Sequence, residues 1–336
     1  MTPSLQLGIG LTLLAGLMSG NCMLPLKFSR RWRWENIWLV FSVVSLILIP
    51  WALALSLVRG LFDTYGALSL VQIAIPFLFG AGWGIAQVLF GLSVERLGLG
   101  QAYAIIVGLG AVLGTLVPLF VQHRGQIGGL ALVEVLSGVV AMILGITLSA
   151  WGGQIKERND TSSQSKTASR YGTALLLAIL CGVMAPMLNY SFAFGQDIAL
   201  MAVKLGNSPL HAAYAVWPIA LAGGFLPNVA FSIYLLRRNG SWSVFRVSAG
   251  DALLPILMGL LWMGSFALYG MSAIYLGPYG TSIGWGLFQI FMIMTATLSG
   301  VLTGEWRSAS RGSRLLLGAG LACLIGATAL LAMGNS

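Results

Sequence analysis

Residues 76–98 read PFLFGAGWGIAQVLFGLSVERLG, and residues 255–277 read PILMGLLWMGSFALYGMSAIYLG. Aligned without gaps, they share Pro76/Pro255, Leu78/Leu257, Gly80/Gly259, Trp83/Trp262, Leu89/Leu268, Gly91/Gly270, Ser93/Ser272, Leu97/Leu276 and Gly98/Gly277, nine identities in 23 positions. Compositional likeness between apolar helices accounts for the leucines and glycines, but not for a matched tryptophan and proline. The stretch therefore reads as one copy of an internal repeat. A shorter echo joins LAGLMSG from Leu14 to LCGVMAP from Leu180.

The environment of that repeat follows from composition. Of 336 residues, 57% are hydrophobic and 8% charged, whereas soluble domains carry about 25% charged residues. Such a chain cannot cover a water-facing surface, so a lipid bilayer is its first partner. A bilayer core needs roughly 20 apolar residues per helix. Runs of that length fall at about 5–25, 36–57, 68–90, 99–120, 128–151, 172–194, 212–236, 251–274, 281–303 and 315–333. The expected fold is an all-α membrane protein of ten transmembrane helices. The repeat matches the third helix to the eighth and the first to the sixth, so the unit is five helices long. Five is odd, so the second unit enters the membrane upside down. Residues 1–151 form the first five-helix repeat, 152–170 (GGQIKERNDTSSQSKTASR) a cytoplasmic linker, and 171–336 the second, inverted repeat.

Charge sets orientation. The net charge of +9 on a soluble domain would suggest nucleic acid; here the cations lie in short gaps between apolar runs, and no nucleic-acid partner is expected. Odd-numbered loops hold fifteen of the 18 Lys and Arg residues: Lys27, Arg30, Arg31, Arg33, Arg96, Lys156, Arg158, Lys166, Arg170, Arg237, Arg238, Arg246, Arg307, Arg311 and Arg314. Even loops hold only Arg59, Arg124 and Lys204. Positive-inside logic places odd loops in the cytoplasm and both termini outside. The first positive charge, Lys27, follows the first apolar run instead of preceding it, so that run reads as a span and not as a signal peptide. Cys22, Cys181 and Cys323 lie in apolar runs with no metal or redox spacing, and neither metal nor cofactor is expected.

Inverted repeats are a recurrent basis of secondary transporters, with the substrate held near the midplane between the halves. Glu134 is the one charged residue read inside a span, and an intramembrane acid is a functional candidate by default. With His211, which can titrate near neutrality, it is a candidate for proton coupling. The uncharged polar residues suggest the cargo. Trp83 and Gln87 are four apart and share a helix face, Trp285 and Gln289 repeat that spacing, and Trp262 is the repeat partner of Trp83. Amides that donate and accept, beside aromatic faces that pack on apolar ring C–H groups, suit a neutral polyhydroxylated ligand. Asn21 and Asn189 add buried amides toward opposite mouths, where a gate role fits as well as ligand contact. Pro25 removes the amide that would bond the Asn21 carbonyl, loosening the end of the first helix. The pairs Gly16/Gly20, Gly80/Gly84 and Gly110/Gly114 read as packing surfaces. Enzyme chemistry needs clustered acids, histidines or cysteines, and the spans do not supply them.

Four blocks carry a resemblance: LPLKFSRRWRWENIWLVFSVVSLILIPWALAL from Leu24, FLFGAGWGIAQVLFGLSVERLGLGQAYAIIVGLGAVLGTLVPL from Phe77, GGQIKER from Gly152 and GEWRSASRGSRLLLGAGLACLIGATALLAMGN from Gly304. They resemble the L-rhamnose–proton symporter family of the drug/metabolite transporter superfamily, nearly end to end, with 193–222 weakest. The resemblance implies a ten-helix carrier in the bacterial inner membrane that imports a deoxy sugar with protons. It also implies a cavity lined by spans 1, 3, 4, 6, 8 and 9, on which Asn21, Trp83, Gln87, Asn189, Trp262, Trp285 and Gln289 fall. The alternative is a carrier of the same superfamily for another neutral small metabolite.

Overall fold

The computed structural model describes residues 3–97, 99–123, 128–160, 168–248 and 250–335. Arg124 and Lys166 of the charge pattern, and positions 161–167 of the expected linker, lie outside these residues. All regular structure among the described residues is helical. Among the described residues, ten helical stretches are long and apolar enough to cross a membrane: spans 1 (Ser4–Phe28), 2 (Trp34–Leu57), 3 (Leu70–Val94), 4 (Gln101–Gln122), 5 (Gly129–Lys156), 6 (Gly172–Lys204), 7 (Pro209–Arg238), 8 (Gly250–Tyr275), 9 (Ile283–Leu302) and 10 (Arg311–Gly334). Large apolar side chains such as Leu70, Leu130 and Leu302 are exposed on their outer surfaces, as lipid-facing helices require. The chain is a multi-pass membrane protein.

Departures from the expected bounds have local causes. The helix of span 5 continues to Asp160, into the polar stretch after Gly152, because GGQIKERND holds helix-forming Gln, Lys, Glu and Arg. Span 6 is interrupted at Ala185 and Pro186, resumes over Met187–Phe194, and turns at Gly195 into the amphipathic helix Gln196–Lys204. That helix buries Ile198, Ala199 and Ala202. Span 1 gives way after Asn21 to a 3-10 segment, Leu24–Phe28, where Pro25 cannot donate. Span 2 widens to a π turn over Val44–Leu48, just ahead of Pro50; the wider turn accommodates a ring that would press on the preceding turn.

Glycine brings the spans together. A methyl on Gly80 would overlap the Ala220 carbonyl oxygen of span 7, and one on Gly84 the Gly224 carbonyl. Gly259, the repeat partner of Gly80, lies against Val44 of span 2. Gly16 and Gly20 lie against Phe291, Met292 and Ala296 of span 9, and the Thr295 hydroxyl donates to the Gly16 carbonyl at 3.0 Å. Gly182 in span 6 meets Leu109 and Ile105 of span 4. Spans 5 and 10 pack along their whole length. At their centre a methyl on Gly145 would lie 2.9 Å from the Gly320 carbonyl oxygen, and one on Gly320 2.8 Å from the Gly145 oxygen. Each glycine thus faces the other's backbone.

Among the described residues, hydrogen bonds and an ion pair tie connecting segments to others of the same parity. Among odd loops, Asp251 accepts hydrogen bonds from the backbone N–H of Arg31 (2.8 Å) and Trp32 (2.9 Å). Glu35 accepts from Ser241 Oγ (2.6 Å) and Asn239 Nδ2 (3.0 Å), and Lys27 pairs with Glu305. Among even loops, Asn207 and the Arg59 backbone exchange two bonds, and Gln72 Nε2 donates to Asp197 Oδ2 at 3.1 Å. This is what ten successive crossings produce. It also corrects the reading of Glu134 as the one acid within the spans. Glu35 and Asp251 open spans 2 and 8 and are each only 5% exposed. Their carboxylates are satisfied by loop groups that hydropathy does not register.

Candidate functional site

The two repeat tryptophans meet. Trp83 at the middle of span 3 stacks on Trp262 at the middle of span 8, with ring centroids 5.4 Å apart and planes inclined by 25°. Each is 7% exposed. Gly224 permits this, since any side chain there would collide with the Trp83 ring. Aromatic contacts continue from Trp262 to Phe41 on one side and to Phe266 (4.5 Å) on the other. From Phe266 they run through Phe288 to Tyr269 and Trp285. Spans 3, 8 and 9 thus share one aromatic column, joined by Phe41 of span 2, near the centre of the fold.

Two amides beside this column are unused. Gln87 is half-buried and Gln289 is 7% exposed, and the side chain of neither makes a hydrogen bond among the described residues. Neither is among the fully buried unpaired polar groups, so both amides reach accessible space, where a ligand or water can pair with them.

The other candidates are engaged or apart. Trp285 Nε1 donates to the Gly110 carbonyl at 3.1 Å while its ring covers Gly114. That pair is the packing surface its spacing suggested. Asn189 is 1% exposed. Its Nδ2 donates to the carbonyls of Gly114 (3.0 Å) and Thr281 (2.8 Å), and its Oδ1 accepts from Tyr269 Oη (2.6 Å). One amide therefore fastens spans 4, 6 and 8 to the 8–9 loop. Tyr190 Oη reinforces it by donating to the Leu113 carbonyl. Asn21 donates back to the Leu17 carbonyl of its own helix. Glu134 lies half-exposed in the second turn of span 5, and His211 is exposed on the short helix Pro209–Ala212. The structure brings Trp83, Trp262 and Trp285 into one column and leaves Asn21, Glu134 and His211 outside it.

Tyr269 was missed in the sequence, although it lies within the repeated block. Its repeat counterpart is Phe90, so no identity drew attention to it. Tyr269→Phe removes the donor to Asn189 Oδ1 and should destabilise the protein by about 1–3 kcal/mol. Thermal unfolding in detergent reads this; an unchanged midpoint would mean that the buried acceptor finds another partner.

The model of the L-rhamnose-proton symport protein (RhaT) family matches residues 1–336. Among curated proteins, the L-rhamnose-proton symporter of Cronobacter sakazakii is 29% identical over 99% of both chains. Those of Citrobacter koseri and Salmonella gallinarum are 26% and 27% identical over the same share. One protein of known crystal structure shares the fold, with a TM-score of 0.52 at 14% identity over 98% of this chain and 95% of that one. With a family match across its full length, the chain belongs to the L-rhamnose-proton symport protein family, whose members are transporters and not enzymes.

Proposed function

We propose that this chain imports a neutral sugar, L-rhamnose first among them, together with protons, by alternating access between two inverted five-helix repeats. The observation that carries the sugar is the Trp83–Trp262 stack with the unpartnered amides of Gln87 and Gln289 beside it. Aromatic faces take the apolar side of a deoxyhexose, and amides take its hydroxyls in either sense. The relatives' name, L-rhamnose-proton symporter, agrees with that chemistry.

Several pairings support the inverted repeat. Exchanging each span with the one five places on turns the contact of span 1 with 9 into that of 6 with 4. In the same way, 3 with 7 becomes 8 with 2, and 5 with 10 maps onto itself. Gly80 and Gly259, equivalent in sequence, each make the close approach of their pair. The tie of Asp251 to the backbone at Arg31 has its counterpart across the fold in the tie of Gln72 to Asp197. These residues are related by the offsets of the two sequence repeats, 76 to 255 and 14 to 180. Reciprocal contact of Gly145 and Gly320 is what a two-fold axis requires of residues on it. In this reading residues 1–151 and 171–336 are the repeats, joined through 152–170.

Odd loops, with their excess of Lys and Arg, face the cytoplasm, and both termini face the periplasm of a bacterial inner membrane. The network on Asn189 then closes the periplasmic side. Glu134 and His211 both belong to that side, so coupling through either acts at the mouth and not on the tryptophans. Asn21 belongs to the cytoplasmic mouth.

Uptake of labelled L-rhamnose into proteoliposomes, with and without an imposed inward proton gradient, tests cargo and coupling together. Saturable uptake, competed by other 6-deoxy sugars and raised by the gradient, is expected. Saturable uptake of a different neutral solute, with none of any sugar, would favour the second reading, a carrier for another small metabolite.

A further inference from the structure

A cleft of about 490 Å³ opens at the even-loop face, where the ends of spans 4, 6 and 8 meet the 8–9 loop. Its lining includes Gln122, His123, Gln196, Thr281, Phe192 and Ile274. This volume is within the range of small-molecule sites and exceeds that of a single hexose. The Trp83–Trp262 column does not contribute to it.

The hydrogen-bonding state of the lining points to its ligand. Gln196 spends its Nε2 on the Phe192 carbonyl at 2.8 Å, and its Oε1 accepts from no described residue. Gln122 spends its Nε2 on the Ala193 carbonyl at 2.7 Å, and its Oε1 meets the Thr281 hydroxyl only at 3.5 Å. That distance is at the limit of a hydrogen bond and leaves both groups available to a better partner. Tyr279 meets the His123 ring edge-on at 5.0 Å. Among the described residues the lining holds no carboxylate, lysine or arginine. Amide oxygens, a hydroxyl and an imidazole beside Phe192 and Ile274 suit a neutral polyol with one apolar face.

Thr281 joins this cleft to the closure beneath it. Its carbonyl accepts from Asn189 (2.8 Å) and Tyr269 (3.4 Å), while its hydroxyl meets Gln122 in the cleft lining. We infer that the cleft is a second, outer sugar subsite, which holds the cargo above the closed Asn189–Tyr269–Thr281 network before it reaches the tryptophans. The inference rests on the sugar-carrier reading above. A sugar hydroxyl that replaces Gln122 on Thr281 acts on the same loop that Asn189 holds, so filling the subsite bears directly on the closure.

The test is equilibrium binding of L-rhamnose to the purified full-length protein in detergent, followed by saturation-transfer NMR. Four forms are compared: wild type, Trp83→Ala, Gln196→Ala and Trp83→Ala combined with Gln196→Ala and Thr281→Val. Size-exclusion profiles establish that each is folded. Trp83→Ala is expected to keep a weak class of binding that the triple variant loses. Each removed hydrogen bond should weaken that class by about threefold to tenfold. Loss of all binding in Trp83→Ala, with wild type binding, overturns the outer subsite and leaves the sugar-carrier reading intact. Residual binding that survives the triple variant unchanged also overturns it. Absence of binding to wild type removes both readings together.

Discussion

Trp83→Ala should reduce L-rhamnose uptake by about 100-fold while the protein still inserts and stays folded. A buried indole covers about 200 Å² of apolar surface, worth about 5 kcal/mol at about 25 cal/mol/Å². In this structure Trp83 is held between Trp262 and Gly224; where the stack parts to admit cargo and about half of the ring turns to it, about 2–3 kcal/mol is at stake, which corresponds to about 10²-fold. Trp262→Ala should match it, because the two rings form one stack. Trp83→Phe keeps an aromatic face and should retain a measurable fraction. Initial uptake rates in proteoliposomes, normalised to inserted protein, read the effect. Near wild-type rates in Trp83→Ala would place the cargo elsewhere in the fold.

Gly80→Ala should cost more in folding than any other single methyl in span 3. The added carbon would overlap the Ala220 carbonyl, and backbone on a neighbouring helix cannot turn aside as a side chain can. Overpacking costs about 1–3 kcal/mol in a core able to adjust, and this position belongs at the upper end or beyond. Gly259→Ala should be milder, because its neighbour is the side chain of Val44, which can shift. Gly91→Ala should be neutral, since nothing lies within 4 Å of a methyl there. The yield and thermal stability of the three variants, compared side by side, give the order. Equal behaviour of Gly80→Ala and Gly91→Ala would mean that spans 3 and 7 are not held at backbone contact.

That comparison also marks the limit of reading the chain as text. Gly80 and Gly91 are both repeat identities, and the sequence offers no reason to rank them; only the approach of span 7 separates them. The spans themselves were legible because each is a continuous apolar run whose length the bilayer dictates. Pro25 likewise announced the break after Asn21.

The arrangement of the candidate residues was legible in part. Trp83 and Trp262 were found because they occupy equivalent places in the repeat, and they prove to be in contact. Gln87 and Gln289 stood out by their spacing from a tryptophan, and among the described residues their amides make no hydrogen bond. Asn189 looked equally available, yet its amide is fully committed to Gly114, Thr281 and Tyr269. Glu35 and Asp251 were overlooked because their partners lie some 200 residues away in the chain.

By itself, the sequence determined that this is a membrane protein of ten candidate spans with two like segments, 76–98 and 255–277. Those properties depend on local composition, on periodicity and on likeness between two segments. Tertiary structure alone decided which buried polar groups are spent and which glycines touch backbone. A hydrogen bond or a close approach is settled by what stands opposite, and what stands opposite is brought there by the fold.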